Sequence, residues 1–237
     1  MLKIDPHPDY PTEEGCYLRG NDYSPVAVIL TYDNDKVPSD IEALVRTGIE
    51  AGAALSGSIQ TENVGIEKMI CNIIGNPNIR YIVLTGPESP GHSTGEAIKA
   101  LITDGVDNRK KIIGASAPTP YLFNIPIEYI ERFRKQIVTI IDLIYRGTPD
   151  LLRKAVWSCY QEAPTVFEEY SVYDIGAYPE APISAKITWR VTNPANEPKD
   201  EEERRQREIL RDKMEEIKRI VEDKQKARQS AEDNRSK

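Results

Sequence analysis

The feature that most constrains the fold is an apolar run, a turn-rich loop and an amphipathic helix over residues 81–105. The run 81–85 is short, apolar and partly β-branched, which is typical of a buried strand. The loop contains two glycines and two prolines, and Ser93 precedes Glu96 by three residues, the capping-box spacing that starts a helix. We therefore expect His92 to lie just before the helix, at the carboxyl end of a parallel strand. Ligands of open α/β sheets bind at that end.

Short apolar runs alternate with amphipathic segments between residues 25 and 146. The run 26–32 is almost entirely apolar, as in strands buried on both faces. Further strands are predicted within residues 51–59, 111–115 and 138–141, and helices begin near residues 38, 61 and 126. This alternation predicts an α/β fold with a Rossmann-like, mostly parallel sheet and flanking helices.

Four segments of the chain differ in composition and residue pattern. They are an irregular, proline-containing leader (1–24), the Rossmann-like domain (25–146), a small C-terminal extension with a short helix and weakly alternating strands (147–196), and a charged helical or disordered tail (197–237). The tail carries a thin coiled-coil-like seam made of Leu210, Met214, Ile217 and Val221. We expect self-association or a partner helix there, with a solvated, fraying helix as the alternative.

The composition excludes some classes of function. A net charge of −7 is unlike the basic surface of a general nucleic-acid binder. Three widely spaced cysteines form neither a metal-ligand pattern nor a disulfide framework, which favours a reducing compartment. No apolar stretch approaches the roughly 18 residues of a transmembrane span. We therefore expect a cytoplasmic protein with no nucleic-acid partner and no transmembrane segment.

The loop that contains His92 allows three interpretations. A lone histidine commonly packs or caps locally, with no special role. Residues 86–93 also match the phosphate-binding pattern G-x-x-x-x-G-K-[ST], except that His92 replaces the lysine, and Asp142 resembles a magnesium-binding aspartate. A mostly neutral histidine and prolines without N–H groups argue against phosphate binding.

Metal binding is the third interpretation. No second histidine or cysteine lies at ligand spacing, so a zinc site is poorly supported. A single imidazole is sufficient for a metal that brings its own macrocycle, such as a haem or a corrinoid. A glycine-bordered histidine at the edge of a Rossmann-like sheet favours the corrinoid.

Several strings of residues resemble those of the A subunit of tetrahydromethanopterin S-methyltransferase, a family of methanogenic and related archaea. They include TENVGIEK at residues 61–68, NIIGNPNIR at 72–80 and GHSTG at 91–95. The others lie at residues 24–28, 51–54, 111–115 and 124–126, in the same order as in the family. The resemblance covers about residues 20–145.

The resemblance implies a domain that carries a methyl group on cobalt, from methyl-tetrahydromethanopterin towards coenzyme M. Partner subunits would deliver and accept the methyl group. The implied cofactor is a cobalamin-type corrinoid, 5-hydroxybenzimidazolylcobamide or a related one. His92 matches the family's lower axial ligand of the cobalt, which would bind in a base-off, histidine-on form.

Other residues are expected to contribute to the corrinoid pocket: Gly91, Ser93, Thr94, Gly95, Glu62, Asn63, Gly114 and Ala115. Ser93 is alternatively a helix cap, and Glu62 a carboxylate that begins a helix. Membrane-anchored members of the family end in a transmembrane helix, whereas this chain ends in the charged tail. We therefore expect a soluble member without a role in sodium transport, and the alternative is a cofactor-free scaffold that uses the tail as an adaptor.

Overall fold

The computed structural model of the protein describes residues 2–32, 39–160, 163, 165–184, 186, 187, 201–203, 205, 206, 209 and 213. The chain divides into two compact units, Met1–Thr192 and Asn193–Lys237. The described residues of the second unit have helical backbone, and the four residues of the predicted seam lie outside the described residues. The finer division at residues 24, 146 and 196 stays a prediction.

Within the described residues, the first unit is built on a five-stranded sheet with the order β1–β3–β2–β4–β5. The strands are β1 (Tyr17–Arg19), β2 (Val26–Thr31), β3 (Leu55–Ile59), β4 (Tyr81–Gly86) and β5 (Thr139–Ile144). All neighbouring strands pair in parallel except β1, which is antiparallel to β3. The predicted Rossmann-like, mostly parallel sheet is therefore confirmed.

Helices cover both faces of this sheet. They are α1 (Ser39–Glu50), α2 (Val64–Ile74), α3 (Thr94–Thr103), α4 (Ile127–Gln136) and α5 (Pro149–Ser158). Helices α1 and α5 pack against each other, and their apolar residues share one core with Val28 of β2 and Val83 of β4. The apolar residues of α2, α3 and α4 share the other core with Ile29 and Leu84. Successive side chains of a strand point to opposite faces, which explains why β2 and β4 are continuously apolar.

The structure differs from the predicted elements in two places. Residues 111–115 do not form a strand of the sheet, and contribute only isolated bridges to Val106 and Tyr121. Lys110 and Gly114 have φ values of 59° and 78°, which interrupt extended backbone on both sides of this run. The leader, which was predicted to be irregular, contributes β1 at one edge of the sheet.

The extension after β5 begins with α5, in agreement with the predicted short helix. It continues in a hairpin of two short strands, β6 (Thr165–Phe167) and β7 (Tyr170–Val172). No helix in the described parts of the chain is long and apolar enough to cross a membrane.

The strand order creates one switch point in the sheet. From β2 the chain passes first to β3 on one side, and later to β4 on the other side. The loops that follow β2 and β4 therefore leave the carboxyl edge in different directions, which is where ligands bind in open α/β sheets. The loop that follows β4 carries His92.

Candidate functional site

The His92 loop is tied to the end of the neighbouring strand. The Thr31 hydroxyl of β2 donates to the Pro87 carbonyl at 2.6 Å. The Ser89 hydroxyl, which is almost fully buried, donates to the Tyr32 carbonyl at 2.8 Å. These two bonds fix the start of the loop, so that the backbone leading to His92 has a defined path.

A tight turn then presents the imidazole. The backbone N–H groups of His92 and Ser93 both donate to the Ser89 carbonyl at 3.0 Å. Residues on both sides of His92 adopt left-handed backbone, with φ of 78° at Gly91 and 45° at Ser93. A Cβ atom added at Gly91 would meet no atom within 4 Å. The backbone beside the imidazole is therefore open to a large ligand.

A buried carboxylate holds the inner side of the imidazole. His92 Nδ1 lies 2.8 Å from Glu62 Oε2. The Glu62 side chain is 1% exposed, whereas the His92 side chain is 42% exposed. Glu62 thus holds the buried side of the ring, and the other side is accessible to a ligand.

Glu62 is itself held by Thr119. The backbone N–H of Thr119 donates to Glu62 Oε1 at 3.0 Å, and its hydroxyl donates to the same oxygen at 2.7 Å. Asn63 Nδ2 donates to the Thr119 hydroxyl oxygen at 3.2 Å. Three segments that are distant in sequence therefore meet around one carboxylate.

The electrostatics of this cluster orient the imidazole. Burial raises the pKa of the Glu62 carboxyl, but the hydrogen bonds from Thr119, from the backbone N–H of Glu62 itself and from His92 together outweigh burial, and the net pKa is lowered. An ionised carboxylate can only accept hydrogen bonds, so Nδ1 of His92 carries the hydrogen that it shares with Glu62. The other ring nitrogen, Nε2, takes no part in this hydrogen bond. Carboxylate–imidazole pairs of this kind orient metal-ligating histidines and raise their basicity.

A metal bound here would have to bring most of its own ligands. Among the described residues no group of three or more His, Cys, Asp or Glu side chains could hold a metal ion. A single oriented imidazole matches the axial ligand of a macrocycle-bound metal.

The first turn of α3 is capped differently from the prediction. Ser93 occupies the N-cap position, but its side chain makes no capping hydrogen bond. Glu88 replaces it, since its carboxylate accepts from Gly95 N at 2.7 Å and from Glu96 N at 3.2 Å. A Cβ atom at Gly95 would lie 2.8 Å from Glu88 Oε2, so Gly95 makes room for this cap.

The other predicted pocket residues lie in different parts of the structure. Thr94 is fully buried, and its hydroxyl donates to the Gln60 carbonyl at 2.8 Å, so it ties α3 to the segment before Glu62. Gly114 lies beside Asp104, at the far end of α3, which is about 15 Å long. Ser116, which follows Ala115, has its backbone N–H 3.3 Å from Glu96 Oε2 in the first turn of α3, so the chain returns from Gly114 toward the start of this helix.

Thr119 is the residue of the site that the sequence did not indicate. It follows Pro118 in an irregular segment and carries no motif, so only the folded chain reveals its proximity to Glu62. Buried Glu67 anchors the same segment, accepting from the backbone N–H and from Nδ2 of Asn124, both at 2.7 Å.

The geometry also argues against phosphate binding at this loop. The carboxylate of Glu88 already occupies the N–H groups of α3 that a phosphate would need, and its charge would repel an anion. Asp142 is paired with Lys99, with 2.6 Å between Oδ2 and Nζ, and does not present a free carboxylate to a magnesium ion.

Fold and site together define a Rossmann-like α/β protein with one carboxylate-held imidazole at the ligand-binding edge of its sheet. A family profile described as the A subunit of tetrahydromethanopterin S-methyltransferase matches residues 3–177. The chain belongs to this family, as the resemblance implied.

Individual relatives agree with the profile. The A 1 subunit of the enzyme from Methanothermobacter marburgensis is 44% identical over 168 residues, which cover 70% of this chain and 66% of that protein. The A 2 subunit from Methanothermobacter thermautotrophicus is 39% identical over 189 residues, or 79% of this chain and 92% of that protein. The A subunit from Methanocaldococcus jannaschii is 39% identical over 167 residues, or 70% of this chain and 66% of that protein. The chain thus spans slightly less than two thirds of the A 1 subunit.

Proposed function

We propose that this chain is a corrinoid-binding, methyl-carrying component of a tetrahydromethanopterin S-methyltransferase, with His92 as the axial ligand of the cobalt. The observation that carries the proposal is the exposed imidazole whose Nδ1 is held by a buried carboxylate. Membership of the family supplies the reaction class.

The residues present fit a corrinoid. Its macrocycle provides four ligands to cobalt, so the protein needs to supply only one. Nε2 of His92 is the free nitrogen of an oriented ring, and the open backbone at Gly91 leaves space beside it.

When bound, the corrinoid would supply a cobalt that accepts and releases a methyl group. The residues of this chain orient and tune that ligand. His92 would donate from Nε2, Glu62 would retain the hydrogen at Nδ1, and Thr119 would keep Glu62 ionised. Other subunits of the methyltransferase would deliver and accept the methyl group.

A spectral titration with hydroxocobalamin tests this function. We expect the wild-type protein to bind the corrinoid with a change in its visible spectrum, and His92→Ala to lose both that change and most of the affinity. His7→Ala is the matched control, because His7 is the other histidine of the chain and lies in the leader. The ligand assignment is wrong if His92→Ala binds with the same affinity and spectrum as the wild type. A wild-type protein that takes up no corrinoid would instead favour the cofactor-free scaffold.

A further inference from the structure

A second buried carboxylate, Glu67 of α2, contacts the segment that carries Thr119. Glu67 is fully buried, and Asn124 is 5% exposed. Glu67 Oε1 accepts from the backbone N–H of Asn124, and Oε2 accepts from its Nδ2, both at 2.7 Å. This contact and the contact between Glu62 and Thr119 each join residues 57 positions apart. Residues 119–124 therefore follow the start of α2 in the same direction and in one register.

The segment between these two contacts has little conformational freedom. Thr119 lies between two prolines, and a proline ring fixes φ. The backbone N–H of Leu122, which is fully buried, donates to the Lys110 carbonyl at 2.9 Å. Thr119 and Asn124 thus belong to one stiff unit, and the position of this unit against α2 depends on the contacts at both of its ends.

Stability alone does not account for a carboxylate at residue 67. Burial of a charged group is unfavourable unless hydrogen bonds compensate for it, and burial raises the pKa of the Glu67 carboxyl. Replacement of both partners of a buried hydrogen bond by apolar groups of the same shape can be nearly neutral for stability. The pair adds a fixed geometry, because both oxygens of Glu67 engage donors of one residue.

We propose that Glu67 and Asn124 are a positioning pair for the His92 site, which fixes residues 119–124 where Thr119 meets Glu62. The pair acts through Thr119 and Glu62 on the orientation of the imidazole. This inference rests on the proposed function, and it adds two residues to those that determine the affinity for the corrinoid.

Substitution of the asparagine tests the proposal. Asn124→Ala removes the Nδ2 donor but keeps the backbone N–H that donates to Glu67. We expect the hydroxocobalamin affinity of the folded protein to fall about threefold, which lies in the range by which residues of one network modulate binding at a distance. Asn78→Ala is the matched control, because this buried asparagine also donates from Nδ2 but lies at the amino end of the sheet. It should lower the free energy of unfolding without changing the affinity.

A double variant shows whether the pair acts through Thr119. Thr119→Val alone should weaken corrinoid binding about fivefold, because one hydrogen bond is lost. In that background Asn124→Ala should leave the loss at about fivefold, whereas independent effects would multiply to about fifteenfold. Glu67→Gln keeps the shape of the side chain but replaces one acceptor oxygen with a donor, and it should follow Asn124→Ala in both backgrounds.

The outcomes separate this proposal from the function on which it rests. Unchanged affinity of Asn124→Ala and Glu67→Gln, with a spectral change that depends on His92, would overturn the positioning role and leave the proposed function intact. Multiplied losses in the double variant, or an equal loss of affinity in Asn78→Ala, would also contradict the positioning role. A wild-type protein that binds no corrinoid would overturn both proposals.

Discussion

Buried polar side chains collect at both ends of the parallel sheet. At the amino end, Gln136 Nε2 donates to the carbonyls of Ile73, Asn76 and Ile79 at distances of 2.9 to 3.0 Å. Asn78 Nδ2 donates to the Ile4 carbonyl at 2.6 Å. These bonds join segments of backbone to each other, and the polar groups involved point inwards.

Polar side chains also contact each other at the carboxyl end, but there the last side chain of the series is partly exposed. Thr119 holds Glu62, and Glu62 holds Nδ1 of His92, yet the His92 side chain at the end of this series is 42% exposed. A polar network therefore stabilises the fold where all of its hydrogen bonds are made to other parts of the chain. A network that ends at one oriented, accessible atom prepares that atom for a ligand.

The largest expected effect is on stability at the amino end. Gln136→Ala would remove a side-chain donor from three buried carbonyls: those of Ile73 and Asn76 keep the backbone N–H groups of Asn76 and Ile79, whereas the Ile79 carbonyl loses its partner. An unsatisfied buried group costs about 1–3 kcal/mol, and each lost hydrogen bond about 1 kcal/mol more. We expect the free energy of unfolding to fall by about 3 kcal/mol in denaturant titrations. Corrinoid affinity of the folded protein should be unchanged, and Lys135→Ala on the same turn should alter neither quantity. If Gln136→Ala lost corrinoid affinity but not stability, the proposed difference between the two ends of the sheet would be contradicted.

At the carboxyl end we expect the reverse pattern for Glu62→Ala. Removal of the carboxylate frees the imidazole to rotate, and partners of this kind typically contribute about 10–100-fold to metal affinity. Corrinoid titration should show a loss in this range, with a smaller effect on unfolding. Glu128→Ala, at an exposed position of α4, provides the control. Unchanged affinity would mean that Glu62 does not position the ligand.

Thr119→Val tests the same network with a smaller chemical change. The valine keeps the backbone donor to Glu62 but removes the hydroxyl, a hydrogen bond of about 1 kcal/mol. We expect corrinoid affinity to fall about fivefold. Thr103→Val, which removes an exposed hydroxyl that donates to the Lys99 carbonyl of its own helix, should bind like the wild type. Equal corrinoid affinities of the two variants would mean that the Thr119 hydroxyl does not help to position the ligand.

The smallest effect concerns Glu67, which anchors the segment that carries Thr119. Burial raises the pKa of the Glu67 carboxyl above 4.5, although the donors of Asn124 lower it in part. The folded protein therefore keeps this proton to higher pH than the unfolded chain does. The resulting stability is fully present below the unfolded pKa and is lost as pH rises through the folded pKa.

Glu67→Gln cannot titrate, so the wild type should lose stability relative to this variant as pH rises above 4.5. Denaturant unfolding of both proteins at several pH values measures the difference. A difference that is independent of pH, or that grows in favour of the wild type, would contradict the raised pKa.

The sequence predicted the parts of the fold that depend on local pattern. Strands β2 and β4 were evident as apolar runs because both of their faces are buried. The three-residue β1 was not predicted, since an edge strand of this length has too few residues to show a period. Residues 111–115 were wrongly predicted to form a strand, because they are partly apolar but the backbone at Gly114 is not extended.

The site was predictable only in part. The position of His92 followed from the strand–loop–helix pattern, and Glu62 was named among the pocket residues. Their contact joins residues 30 positions apart, and Thr119 lies 57 positions from Glu62. No local pattern encodes such pairs. The capping-box spacing of Ser93 and Glu96 was misleading, because Glu88 provides a stronger, charged acceptor for the same helix.

The most direct test of the central claim is electron paramagnetic resonance of the protein with cobalamin in the cobalt(II) state, after uniform labelling of the protein with nitrogen-15. If Nε2 of His92 binds cobalt, each cobalt line will be split into a doublet by the labelled nitrogen, and the doublets will be absent from His92→Ala. If the lines are split into triplets by the unlabelled nitrogen of the corrinoid's own base, His92 is not the axial ligand and the account is contradicted.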